Sequence, residues 1–210
     1  NVWTAKEESV ALPKQLGIPG FRHSIGLARW WHFSFDLLWL INGLLFVVLL
    51  FSTEQWKRLV PTSLDVFPNA LSTALQYLSL QLPVNAGFST YNALQLLAYF
   101  VTVFIAAPLA LITGLLQAPS IAGRFGTGAG LLNRQVARTI HFGVLIWMLV
   151  FIAVHTLMIF VTGFVGNVNH ITLGTDTNSY LGVGLYLLWM IVVAVFWLLA
   201  SPLTIRHPRT

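Results

Sequence analysis

The sequence predicts an all-α membrane protein, a bundle of four transmembrane helices with both termini on the same side. Three observations carry that prediction. Hydrophobic residues make up 57% of the chain and charged residues only 8%, against about 25% charged in an ordinary soluble domain. Four apolar stretches reach the length of about 20 residues that a helix needs to cross a bilayer. Lys and Arg are shared unevenly among the connecting segments. With a mean hydropathy of +0.78, a chain of 23.3 kDa has too few charges to cover a globule, so most of its surface faces lipid. The sequence has no cysteine, which excludes disulfides, iron–sulfur clusters, thiolate zinc sites and covalent haem attachment through this chain.

The spans are read at residues 30–51, 93–116, 140–164 and 181–200. Each is too long for a strand and lacks two-residue alternation. Lipid offers the backbone no hydrogen bonds, so each must be a helix. Pro108, followed by Gly114, predicts a kink in the second span. Pro202 is expected to stop the fourth. No repeat or low-complexity linker divides the chain, so residues 1–210 read as one domain. The loop at 52–92 is long and half apolar. Within it Pro68, Asn69 and the run ALSTALQYLSL (70–80) read as a short amphipathic helix on the outer membrane surface or against a partner. The glycines of GRFGTGAG (123–130) match no nucleotide-binding fingerprint and read as a flexible inner connection.

Nine of the eleven Lys and Arg lie on the side that holds both termini: Lys6, Lys14, Arg22, Arg29, Arg124, Arg134, Arg138, Arg206 and Arg209. Only Lys57 and Arg58 lie opposite. The positive-inside rule then places both termini in the cytoplasm and the chain in the inner or plasma membrane. Trp30, Trp31 and Trp56 sit where an aromatic belt is expected. The net charge of +5 reflects these anchors and forms no stripe suited to nucleic acid.

The histidines carry the chemistry. His141 and His155 share the third span. At about 100° and 1.5 Å per residue, they fall about 40° from perfect alignment and about 21 Å apart, on one face. That separation suits two haems stacked across a bilayer. His32 and His141 start their spans from the same side at similar depth, so two imidazoles on separate helices can ligate one iron axially. Arg29 and Arg138 each precede one of these histidines by three residues, one helical turn toward the cytoplasm. There they suit haem propionates. Asp36, four residues after His32, is an acid inside a span and a candidate for passing protons to or from a quinone.

R-x-x-H at the start of the first span, Asn42–Gly43–Leu44 midway along it and H-x13-H on a later span together resemble the membrane cytochrome b subunits of nickel–iron hydrogenases and formate dehydrogenases. They are also similar to cytochromes b associated with molybdopterin oxidoreductases. The resemblance covers residues 23–200. It implies haem b, two copies in the full pattern, a quinone site, and electron exchange with a redox partner subunit or fused domain. His32 matches the first-span ligand, and His141 and His155 match the paired ligands. The family's fourth ligand lies on the second span, which has no histidine here, and the pair falls on the third span rather than the fourth. One haem is therefore better supported than two. For His155 the second ligand stays open between His170, Met190 and a partner subunit, or His155 holds no haem. His23 flanks the inner haem or a quinone. Gly43 and Gly143 give a porphyrin room on the ligand-bearing helices. The expected function is haem-b electron transfer between a partner enzyme and the quinone pool. The alternative is a haem-free membrane anchor of a larger complex.

Because the chain has no native thiol, single-cysteine variants test the topology directly. A cysteine at Ser63 should react with an impermeant maleimide added to intact cells, and one at Thr127 only after the membrane is opened. The reverse pattern would invert the predicted orientation.

Overall fold

The computed structural model describes residues 9–11, 24–82, 91–118, 133–177 and 179–206. Four helices are long and apolar enough to cross a membrane, at Ala28–Ser52, Ala93–Gln117, Arg134–Val161 and Leu181–Leu199. The chain is a multi-pass membrane protein. It divides into two compact units, residues 1–54 with 184–210, and residues 55–183.

The first unit opens with a short antiparallel ribbon of β1 (Ser9–Ala11) and β2 (Ser24–Gly26), with Val10 opposite Ile25. Periodicity could not announce it, since three residues per strand are too few for an alternating pattern. Gly26 then takes an extended conformation as the N-cap of α1 (Leu27–Ser52), which starts a few residues earlier than the apolar run. An aromatic cluster marks that end of the unit. Trp31 packs edge-on to Trp30, stacks on Phe35 at 5.5 Å, and meets Trp197 of the last helix at 4.9 Å. That last helix runs from Leu181 to Arg206. The expectation that Pro202 ends the fourth span is therefore corrected. The apolar span ends at Leu199 and the helix carries on past Pro202, whose missing amide leaves the Leu198 carbonyl without its usual donor.

The second unit holds the long loop and the second and third spans. A 3-10 turn at Gln55–Arg58 leads to α2 (Val66–Leu78), the short helix expected at 68–80, which begins two residues earlier. Its inner face carries Val66 and Ala70, both buried. Tyr77, on the same face, accepts a hydrogen bond from Asn92 Nδ2 at 2.6 Å. Asn92 is also the N-cap of α3 (Ala93–Phe100). It accepts from the Gln95 amide, while Gln95 Oε1 accepts from the Asn92 amide, a reciprocal capping box. One asparagine thus starts the second span and ties the surface helix to it.

The second span continues without a break from α3 through a π-helical stretch, Val101–Ala106, into α4 (Ala107–Gln117). The Ala107 amide bonds the Thr102 carbonyl, five residues back. Where the sequence predicts a kink, the helix has a widened turn just before Pro108. A proline ring crowds the carbonyl four residues behind it, and a π turn shifts the hydrogen-bond ladder to relieve that crowding. The third span, α5 (Arg134–Val161), is capped by Asn133 and begins six residues before the apolar run. Small side chains dominate the buried positions of these two spans: Ala106, Thr113 and Ala137, with Val144. Small residues allow close helix approach where lipid supplies no hydrophobic drive for association.

After α5 the chain turns through Gly163 at φ 122° into α6 (Phe164–Leu173), which closes at Gly174 in the left-handed conformation. Asn169 is 0% exposed. It donates to the Thr177 and Ser179 carbonyls and accepts from the Gly182 amide, pinning the loop to the start of the last helix. A Cβ on Gly182 would collide with Asn169 and Thr172.

Asn169→Ala removes the partners of three backbone groups, among them the buried Gly182 amide, and should cost about 1–3 kcal/mol. Gly182→Ala should cost at least as much through the collision. Both are read as a lowered Tm of the detergent-solubilised chain. A wild-type Tm for either variant would contradict the junction described.

Candidate functional site

The polar side chains inside the second and third spans pair with one another. On α5, His141 Nδ1 lies 2.9 Å from Thr113 Oγ1 of α4. Thr113 is 3% exposed. The neighbouring Gly114 leaves open the space beside the ring: a Cβ there would stand 3.7 Å from His141 Cε1. Further along, Trp147 Nε1 donates to Thr102 Oγ1 at 3.1 Å, and that hydroxyl donates to the Ala98 carbonyl at 2.7 Å. Thr102 belongs to the π-helical stretch, so the widened turn is also where the two spans are cross-bonded.

Fourteen residues along α5, His155 stacks on Phe151 with ring centroids 5.7 Å apart. Tyr99 of α3 meets it edge-on at 6.5 Å. The antiparallel helices keep register, since Thr113 and Tyr99 are also fourteen positions apart. The two histidines of one helix therefore have different neighbours. His141 faces a hydroxyl and a glycine, while His155 lies among aromatic rings.

In the first unit, His32 Nδ1 lies 2.7 Å from Asp36 Oδ2, one turn on in α1. Asp36, expected as a proton carrier, is thus in direct contact with a predicted ligand. Arg29 and Arg138 are exposed, each one turn before its histidine on a continuous helix. Gly43 and Gly143 have open space where a side chain would begin. His170 Nε2 pairs with Asp176 at 2.6 Å, beyond the third span. Met190 is exposed on the last helix. His23 and His207, and the glycine-rich segment 123–130, lie outside the described residues. Among the described residues, no group of three or more His, Cys, Asp or Glu is placed to hold a metal ion. A haem iron asks less of the protein, two axial donors, because the porphyrin supplies the other four.

The donor chemistry suits that demand. A neutral imidazole that donates its Nδ1 hydrogen to a hydroxyl or carboxylate keeps its lone pair on Nε2, the usual arrangement of a metal-ligating histidine. Both His32 and His141 have an oxygen partner at Nδ1. The helices bearing them lie within residues 7–173, which match the family model for prokaryotic cytochrome b561. The chain belongs to that family.

This cytochrome is accordingly a membrane haem-b protein of electron transfer. The matched residues include three of the four membrane-spanning helices and end before the last. No match was found among curated proteins or solved structures. Sequence reasoning missed Thr113 and took Gly114 only as part of a kink. Neither residue type signals a site, and both become visible only when the two spans are laid side by side.

Gly114 offers a graded test of the space beside His141. Gly114→Ala meets the ring at ordinary contact distance and should keep haem content near wild type. Gly114→Leu should displace the imidazole and lower haem per protein at least tenfold, the scale of loss when ligand support fails. Pyridine haemochrome assays of the purified chains decide it, and equal haem content in both variants would overturn the assignment.

Proposed function

We propose that this cytochrome b is the membrane subunit that carries electrons between a redox partner enzyme and the quinone pool, with His141 as an axial haem ligand. The observation that carries the reading is the held imidazole of His141, half-buried between two membrane helices with its Nδ1 on the buried Thr113. A histidine inside lipid is costly and is retained where it works. His32 is the proposed second axial ligand. It lies five residues into its helix, as His141 lies seven into its own, and its Nδ1 is likewise engaged, by Asp36. Haem b, when bound, supplies reversible one-electron chemistry, and the protein sets the ligands and the surrounding charge.

The other residues take supporting parts. Arg29 and Arg138, one turn toward the cytoplasmic side, neutralise the propionates. Gly43 and Gly143 leave room for the porphyrin. Asp36 orients His32 and, as the acid of that span, is placed to exchange protons with a quinone. The proposal takes one haem. His155 is proposed as the ligand of any second one, with His170, Met190 or a partner residue as its counterpart. The pairing of His170 with Asp176 and the aromatic surroundings of His155 favour the single-haem form.

The test is a dithionite-reduced minus oxidised spectrum of the purified chain with its haem-to-protein ratio. Wild type should show b-type bands at a ratio near one. His141→Ala and His32→Ala should each lose the haem, while His155→Ala should leave the ratio unchanged. Absence of b-type bands in wild type would sink the reading in favour of a haem-free anchor. A ratio of two that falls to one in His155→Ala would establish the second haem.

A further inference from the structure

The inference rests on the haem reading above and concerns the residue that prepares one of its ligands. Thr113 Oγ1 has three polar neighbours: the Leu109 carbonyl at 2.5 Å, the Ala110 carbonyl at 3.4 Å, and His141 Nδ1 at 2.9 Å. A hydroxyl has one proton to give and two lone pairs with which to accept. A carbonyl oxygen can only accept, so the 2.5 Å contact places the hydroxyl proton on Leu109. This is the usual back-bond of a helical threonine to the carbonyl one turn earlier. The hydroxyl therefore presents a lone pair to His141, and Nδ1 must carry the hydrogen that fills it. A neutral imidazole has a single N–H, so its lone pair lies on Nε2.

We propose that Thr113 is the positioning residue for His141. It selects the Nδ1–H tautomer, fixes the rotation of the ring between α4 and α5, and so commits Nε2 to the iron. The chain of hydrogen bonds from Nδ1 through the hydroxyl to the Leu109 carbonyl also draws electron density into the ring. A more basic imidazole is a stronger donor and favours the ferric state. The site is sheltered from competition by water, since Thr113 is among the few buried polar side chains. Beside it, a Cβ on Gly114 would stand at ordinary contact distance, 3.7 Å from His141 Cε1.

The full-length cytochrome, loaded with haem in lipid nanodiscs, tests this with two substitutions. Thr113→Val keeps the shape and removes the hydroxyl. Thr113→Ser keeps the hydroxyl. The valine variant should release haem to apomyoglobin about 10- to 100-fold faster than wild type, with the serine variant within about twofold of wild type. The valine variant should also show a higher midpoint potential and altered low-spin ferric EPR g values, which serine restores. Wild-type g values, potential and release rate in the valine variant would overturn the proposal.

Should the valine variant fail to fold, nitrogen-15 histidine NMR of the wild-type apoprotein reads the tautomer directly, with His141 assigned by its loss in His141→Gln. The Nδ1–H form supports the proposal and the Nε2–H form overturns it. A separate control isolates the underlying reading. If His141→Ala keeps a wild-type haem spectrum, His141 is not a ligand, whatever its tautomer.

Discussion

The bilayer interior has no water, and the architecture follows from that. Each peptide group in the spans must find its partner within the protein, because an unmet one costs several kcal/mol in hydrocarbon. Four helices satisfy this over most of their length. The exceptions show how strict the demand is. Where Pro108 removes a donor, the ladder shifts by one residue into a π turn. Where the second and third spans begin, asparagines at positions 92 and 133 cap the first amides. Where the last helix begins, the Asn169 side chain takes the Gly182 amide.

The same demand governs side chains, and it turns stability into function. Among the described residues, no buried side-chain nitrogen or oxygen lacks a partner. In the second and third spans the partners are hydroxyls across the interface: Thr102 for Trp147 and Thr113 for His141. Each threonine also bonds its own helix at the preceding turn, so each is held before it holds its partner. A histidine kept in one tautomer and one rotation loses little freedom when it binds a metal. An electron-transfer protein gains from that rigidity, because little has to rearrange as the charge on the iron changes.

Much of the architecture was legible from composition and order alone. The spans, the surface helix and the ligand candidates His32, His141 and His155 follow from apolar length, helical spacing and the cost of a polar group in lipid. Boundaries were less legible. Helices start before their apolar runs at Leu27 and Arg134, since polar first turns reach into the interface. Pro202 reads as a stop, yet the helix continues to Arg206. The β1–β2 ribbon is too short to leave a periodic trace.

Sequence order determined what kind of protein this is. Charge scarcity demands lipid, apolar length demands helices, and histidines inside lipid demand a use. These are properties of single segments, and a segment carries them wherever it packs. The different surroundings of His141 and His155 were decided by tertiary structure alone. The fourteen-residue spacing makes the two histidines equivalent on α5, yet the facing helix offers Thr113 and Gly114 to one and Tyr99 to the other. A hydroxyl can hydrogen-bond a ring nitrogen, whereas a ring edge only packs. That distinction depends on the register between two helices, and no single-helix pattern contains it.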